Sequence, residues 1–155
     1  MAILMAMSKN EKIKVVVDDF RTERDWGAIP SYRMCKKILE KEKTPLKADG
    51  HKVMYQPILG IPEYNSSSRN KMFKDAFEIL ATAGSFKDKT VLDIGSCYGY
   101  FSFGLVKNGA YVTGVERDGG RASICLHLAP LNGFDWSNPK FCIGSIENYL
   151  GYSNR

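Results

Sequence analysis

The stretch at residues 90–118, TVLDIGSCYGYFSFGLVKNGAYVTGVERD, decides the fold of this chain. It opens with an apolar, β-branched run and then passes through two glycines, Gly95 and Gly99, into YFSFGLVKNG, which is typical of a helix closed by Asn108 and Gly109. A second apolar run, AYVTGVE, follows directly. The pattern predicts a strand, a glycine turn, a helix and a second strand, and it leaves open what lies against the turn.

The residues that follow continue the same alternation. GRASICLHLAPLNG predicts a second helix and KFCIGS a third strand. Strands that alternate with helices of this length require right-handed crossovers and therefore a parallel sheet. The predicted class is α/β, a Rossmann-like parallel sheet with helices on both faces.

The first part of the chain predicts an α/β extension ahead of this sheet. KIKVVVDDF fits a short strand, and PSYRMCKKILEKEK fits a helix with Tyr32, Cys35, Ile38 and Leu39 on one face. Prolines, glycines and NSSS interrupt every period over 44–68, before RNKMFKDAFEILATAG resumes a helix. We therefore divide the chain into an N-terminal extension with a linker or cap (1–65) and a Rossmann-like domain (66–155).

Composition excludes several classes of protein. With 155 residues, 44% hydrophobic and 25% charged, the chain is suited to a globular domain with a core. Neither an apolar run near bilayer length nor a charged leader before MAILMAM is present, so we expect a cytoplasmic protein with no membrane contact. Four widely spaced cysteines favour reduced thiols over a zinc site or disulfides.

The charge distribution gives weak support for a nucleic-acid partner. Residues 1–54 hold 12 of the 22 Lys and Arg but 8 of the 17 Asp and Glu, so most of the net charge of +5 lies there. Basic residues interleaved with acids usually form a solvated surface, which is the simpler interpretation.

The glycine turn is a candidate binding site. Ligands of such sheets lie beyond the carboxyl ends of the strands, where a glycine lets the backbone approach them. Glu116 ends the next strand, and its carboxylate could accept hydrogen bonds from both hydroxyls of a ribose. The alternative is that the glycines only close a turn and that Glu116 is a surface acid.

The spacing of the glycines disfavours a dinucleotide. A pyrophosphate-binding loop reads G-x-G-x-x-G, whereas this chain has Gly95-x-x-x-Gly99 with Asp93 two residues before it. An acid there suits a ligand that carries an ammonium or sulfonium group better than an anion.

The segment VLDIGSCYGYFSFGLVKNGAYVTGVE resembles the first motifs of the class I S-adenosylmethionine-dependent methyltransferases. The resemblance covers about residues 87–150 and implies S-adenosyl-L-methionine as the cofactor. It implies that Glu116 binds the ribose hydroxyls. It also implies that the methionine and ribose portion is held by Asp93, Gly95, Ser96, Cys97 and Gly99.

The same resemblance implies the adenine side of the site. The family's third strand often ends in Gly-Asp, and CIGSIENYL places Ser145 where the acid would stand, followed by Ile146. A serine keeps a hydrogen-bonding oxygen but loses the charge. Arg117 and Asp118 would flank the adenine, although exposed charges after a strand are usually only solvated.

The family's sheet has seven strands, and this sequence ends just after the third. We expect a truncated chain or, less favoured, an edge covered by KIKVVV, a partner chain or a second copy. The leading function is methyl transfer to an unidentified acceptor, with no catalytic residue assigned. The alternatives are a non-catalytic cofactor-binding or scaffold subunit and, disfavoured by the missing third glycine, an oxidoreductase. Candidate pocket residues in the cap, for each of which loop packing is the simpler role, are Tyr55, Gln56, Tyr64 and Arg69.

Overall fold

The computed structural model describes residues 2–4, 30–41, 54–61 and 64–153. Within these ranges the elements, in chain order, are β1 (Ala2–Leu4), α1 (Pro30–Leu39), α2 (Ser67–Ala81), β2 (Thr90–Ile94), α3 (Tyr100–Lys107), β3 (Tyr111–Glu116), α4 (Gly119–Leu131), β4 (Lys140–Ile143) and α5 (Ile146–Ser153). The predicted strands of the second half and the helices between them are confirmed. Helix α5 had not been predicted.

The sheet has the order β1-β2-β3-β4, and β2, β3 and β4 run parallel. Val91 lies opposite Val112, and Glu116 lies opposite Ile143. Each parallel pair is joined through a helix, α3 or α4, as a crossover between parallel strands requires. This is the open, Rossmann-like α/β sheet that the alternation of segments predicted.

The outer side of β2 is paired by the chain's own first residues. Strand β1 runs antiparallel to β2, with Ala2 opposite Ile94 and Leu4 opposite Leu92. The sequence had suggested KIKVVV for this position, and that segment lies outside the described residues. The sequence pattern did not identify residues 2–4 as a strand, because three residues are too few to show a period. Covering by a partner chain or second copy stays a prediction.

Two hydrophobic clusters hold the helices against the sheet. The first joins α2 and α3 to the sheet through stacked and edge-on aromatic rings, and it includes Phe73, Phe77, Phe86, Phe101 and Val112. The second packs α1 against α4, where Cys35, Leu39, Ile124 and Leu128 are fully buried. The predicted apolar face of α1 is therefore confirmed at Cys35 and Leu39.

The segment 54–61, predicted as part of a linker or cap, packs into the second cluster. Met54, Ile58 and Ile61 are buried. The side chain of Asn65 forms two hydrogen bonds with the backbone of Ile58: it accepts from the amide at 2.6 Å and donates to the carbonyl at 3.0 Å. Asn132, which ends α4, donates to the carbonyl of Leu59 at 3.1 Å. This segment is consequently fixed to α4 and can position side chains near the sheet; the boundary at residue 65 stays a prediction.

Two kinds of feature do not occur in the described part of the chain. No helix there combines the length and the apolar character needed to cross a bilayer. Within the same ranges, no group of three or more His, Cys, Asp or Glu side chains is arranged to hold a metal ion.

Candidate functional site

The glycine turn lies at the carboxyl end of β2, as predicted. Gly95 and Gly99 have φ values of +72° and +77°, a region that side chains with a Cβ rarely adopt. The Gly95 amide donates to the carbonyl of Val115 on β3 at 2.8 Å, and the Gly99 amide donates to Ser96 at 2.8 Å. The turn is therefore tied to the neighbouring strand and folded on itself before α3 begins.

The two glycines meet different surroundings. A Cβ on Gly99 would lie 2.8 Å from Cε2 of Phe103 and 3.0 Å from Cζ of Phe141, so packing leaves no room for a side chain. A Cβ on Gly95 would meet no atom within 4 Å. Gly99 thus serves the fold, whereas Gly95 opens the backbone toward free space where a ligand can approach.

Cys97 holds an unusual backbone conformation between them. Its φ of +53° is uncommon for a residue other than glycine, yet Cys97 is buried. Its carbonyl accepts from the thiol of Cys125 at 3.3 Å, and its amide donates to the side chain of Glu116 at 2.9 Å. The hydrogen bonds at its amide and at its carbonyl maintain this conformation.

Glu116 joins the loop after β2 to the loop after β3. Its Oε2 accepts from the amide of Cys97 and its Oε1 accepts from the amide of Asp118 at 2.8 Å. The side chain is 8% exposed, so it is not the surface acid of the alternative interpretation. Each carboxylate oxygen has a second lone pair, which leaves capacity for the hydroxyls of a ribose.

Asp93 faces the helix beneath the loop. It is 6% exposed, and its Oδ2 accepts from the hydroxyl of Ser102 in α3 at 2.6 Å. Burial raises the pKa of this carboxyl above its usual range, and the bond from Ser102 opposes that rise in pKa. Asp93 therefore positions α3, and its predicted role toward a cationic ligand stays a prediction.

Gln56 reaches the loop from the packed segment 54–61. Its Oε1 accepts from the amides of Tyr98 at 2.9 Å and Tyr100 at 3.2 Å, and the residue is 3% exposed. The sequence had named Gln56 as a candidate pocket residue and favoured loop packing; the structure bonds it directly to the glycine loop. No local sequence pattern signals this contact, because its partners lie more than 40 residues away.

The other candidates from the cap make ring and apolar contacts. The guanidinium of Arg69 lies 5.9 Å from the ring centroid of Tyr55, a cation–π contact, and Tyr55 is exposed. Tyr64 packs against the second cluster.

The turn after β4 forms the adjacent part of the same sheet edge. The amide of Gly144 donates to the carbonyl of Glu116 at 3.0 Å, and the hydroxyl of Ser145 accepts from the amide of Asn148 at 3.3 Å. Ile146 begins α5 and is half-buried. The predicted adenine-side residue Ser145 lines a cavity of about 400 Å³ with Val115, Cys142, Ile143, Gly144, Asn148 and Tyr149.

Arg117 lies exposed between these two turns. The bond from Ser145 and, more weakly, the charge of Arg117 hold the pKa of Glu147 below its ordinary value. Arg117 therefore contributes charge to the rim of the turn after β4.

The residues present fit a nucleoside with an amino-acid tail. The space beside Gly95 is open, Glu116 can accept from a ribose, and the cavity at Ser145 lies next along the edge. The hydroxyl of Ser96 is buried and, within the described ranges, has no hydrogen-bond partner. Buried polar groups are normally paired, so this hydroxyl is an exception among the groups of the loop.

Comparisons with known proteins give partial structural likenesses. No family model and no curated protein matches the chain. The bifunctional kinase-methyltransferase WbdD superposes at 21% identity with a TM-score of 0.49, over 76% of this chain and 25% of the WbdD chain. A monomeric form of WbdD gives 22% identity and a TM-score of 0.48, over 75% of this chain and 27% of that one. PH1948 of Pyrococcus horikoshii, a proposed RNA methyltransferase, gives 17% identity and a TM-score of 0.42, over 76% of this chain and 52% of the PH1948 chain.

This chain therefore spans between a quarter and about half of the length of those proteins. Because all three TM-scores are low, the fold class rests on the strand order and register of the chain itself.

Proposed function

We propose that this chain binds S-adenosyl-L-methionine at the glycine loop and takes part in methyl transfer to an acceptor molecule. Bound there, the cofactor supplies an activated methyl group on a sulfonium centre. The chain's own contribution is to bind and orient, since alignment of the reacting groups provides much of the rate in such a displacement.

One observation carries the proposal: at the carboxyl edge of the sheet, the carboxylate of Glu116 is bonded to the loop that begins at the open backbone of Gly95. Glu116 is bonded at 2.9 Å to the amide of Cys97, two residues after Gly95. An acceptor for ribose hydroxyls thus lies next to a backbone position with no atom within 4 Å of where its side chain would be. This arrangement suits a nucleoside at the carboxyl ends of β2 and β3.

The residues divide into those that would contact the ligand and those that hold the loop. Glu116 would bind the ribose, and the backbone at Gly95 would face the methionine portion. Ser145 and the cavity beside it would receive the adenine. Asp93, through Ser102, and Gly99, through its packing against Phe103, keep the loop and α3 in place.

Calorimetry tests the proposal directly. S-adenosylmethionine, its demethylated product S-adenosylhomocysteine and NAD are each titrated into the purified chain. We expect the first two to bind and NAD to bind more weakly. Tighter binding of NAD, or binding of none of the three, would refute the assignment.

The variant Gly95→Arg locates the site. A long side chain would occupy the open space beside the loop, so we expect binding of S-adenosylhomocysteine to fall at least about a hundredfold, a change of some 2.7 kcal/mol. Circular dichroism should show an intact fold, because a Cβ at this position meets no neighbour and only the backbone cost of a left-handed φ, about 1 kcal/mol, applies. Undiminished binding by the folded variant would place the ligand elsewhere.

A further inference from the structure

The glycine loop comprises residues 95–100, and all six of its backbone amides are hydrogen-bonded within the chain. Two of them, Gly95 and Ser96, donate to the carbonyl of Val115 at 2.8 and 3.2 Å. Gly99 donates to Ser96, and Cys97 donates to Glu116. The remaining two amides, those of Tyr98 and Tyr100, both donate to Oε1 of Gln56.

This arrangement differs from a loop built for phosphate. In dinucleotide-binding folds, the amides that lead into the helix after the first strand remain free to bind a pyrophosphate. Here the carboxamide oxygen of Gln56 lies 2.9 and 3.2 Å from the amides of Tyr98 and Tyr100, where a phosphate oxygen would bind. Glu116 adds a carboxylate to the same loop, and that charge opposes an anion.

The segment that carries Gln56 is held firmly. Asn65 brackets Ile58 with two hydrogen bonds, and Asn132 bonds to the carbonyl of Leu59. Gln56 itself is 3% exposed. Because Gln56 is buried on a packed segment and accepts from both amides, a phosphate group would have to displace its oxygen to reach them.

We propose that Gln56 is a positioning residue that fixes the entrance of α3 and closes it to phosphate, which makes the site selective for a nucleoside with an amino-acid tail over a dinucleotide. The ligand half of this inference rests on the proposed function. The pairing of the Tyr98 and Tyr100 amides with Gln56, which would exclude phosphate, is a property of the chain alone and can be measured without S-adenosylmethionine.

Two variants of similar size separate the acceptor from the packing. Gln56→Met keeps the length of the side chain but removes the strong acceptor, whereas Gln56→Glu keeps acceptor oxygens. In Gln56→Met we expect the amides of Tyr98 and Tyr100 to exchange hydrogen at least about tenfold faster and to shift in NMR spectra when inorganic pyrophosphate is added. In Gln56→Glu and the wild type, both amides should stay protected and unresponsive.

Ligand preference gives the second readout. We expect the ratio of the affinities for S-adenosylhomocysteine and NAD to fall about tenfold in Gln56→Met, which corresponds to the net loss of one or two hydrogen bonds. Gln56→Glu should keep the wild-type ratio or raise it, because it retains acceptor oxygens and any charge it carries opposes the pyrophosphate of NAD.

Asn132→Ala is the matched control for loosening of the segment. It removes the bond to Leu59 but leaves the acceptor of Gln56 in place. The melting temperature should fall, while the amide protection and the affinity ratio should not change. An equal change in Asn132→Ala and Gln56→Met would overturn the inference, since packing alone would then explain both.

The two proposals can fail separately. If pyrophosphate shifts the amides of Tyr98 and Tyr100 in the wild type as strongly as in Gln56→Met, the closing of the loop is refuted. If the amide results hold but S-adenosylhomocysteine does not bind the wild type, the proposed function is refuted and the exclusion of phosphate stands.

Discussion

Two turns at the same edge of the sheet are built in opposite ways. The loop after β2 has every amide paired, and two buried polar side chains, those of Glu116 and Gln56, accept hydrogen bonds from its amides. The turn after β4 consists of half-exposed residues, holds Ser145 as a cap for α5 and borders a cavity of about 400 Å³. The amides of one turn are already hydrogen-bonded within the chain, whereas the other turn borders open space.

The difference indicates how a ligand would be recognised. A loop whose hydrogen bonds are already satisfied offers shape and fixed charge, so under the proposed function it would select by exclusion and by the acceptor of Glu116. An open turn offers space and adaptable contacts. Mutations in the first turn should therefore disturb the fold and the ligand preference strongly, while mutations in the second should tune affinity.

The largest effect is expected from Gly99→Ala. The new Cβ would meet Phe103 and Phe141 at 2.8 and 3.0 Å on a backbone with φ of +77°. Strain and overpacking together should lower the free energy of unfolding by about 2 to 4 kcal/mol, measured by urea denaturation. Gly95→Ala is the control, since only the backbone cost of about 1 kcal/mol applies in open space. Equal losses in the two variants would mean that packing does not distinguish the glycines.

Substitutions of Glu116 should give the next largest effect, on both stability and binding. Glu116→Ala leaves the amides of Cys97 and Asp118 without their acceptor, which should cost about 2 to 3 kcal/mol of unfolding free energy. Affinity for S-adenosylhomocysteine should fall about tenfold or more. Glu116→Gln keeps one acceptor oxygen and should lie between wild type and Ala in both measurements. Identical affinity across the three proteins would exclude Glu116 from the ligand site.

A smaller, pH-dependent effect should come from Asp93. Burial raises its pKa in the folded chain, so its ionised form is disfavoured there relative to the unfolded chain. The wild type should therefore lose stability relative to Asp93→Asn as pH rises from the ordinary carboxyl pKa of 3.8 through the raised folded pKa. The predicted direction of this change is tested by measuring the unfolding free energy of both proteins with urea at several pH values between 3.8 and neutrality. A wild type that gains stability relative to Asp93→Asn as the pH rises would contradict the predicted sign.

The smallest effects should come from Ser145 in the open turn. Ser145→Ala removes the cap on the Asn148 amide and should cost about 0.5 to 1 kcal/mol. Ser145→Asp keeps a capping oxygen and adds the acid that the resemblance would place there, so we expect S-adenosylhomocysteine to bind about threefold tighter, a gain below 1 kcal/mol. Weaker binding by Ser145→Asp would show that the turn does not receive the adenine.

Much of the second half of the chain could be predicted from the sequence, because the patterns that indicate its strands and helices are local. Apolar runs bounded by glycines identified β2, β3 and β4, and the segments between them carried helical patterns. The turn at Gly95 and Gly99 and the acid at the end of β3 were likewise readable, since parallel strands bring their carboxyl ends to one edge. These features determined the fold class and where to look for a site.

The contacts that surround the glycine turn were decided only by tertiary structure. Gln56 meets Tyr98 across 42 positions, and three residues at the start of the chain pair with β2. Asp93 faces α3, while Glu116 holds two loops through one carboxylate. None of these has a local signature, because a hydrogen bond between distant residues depends on which surfaces pack together. The sequence alone therefore located the turn after β2. The packing of segment 54–61 and of α3 determined which polar groups near that turn are already hydrogen-bonded within the chain.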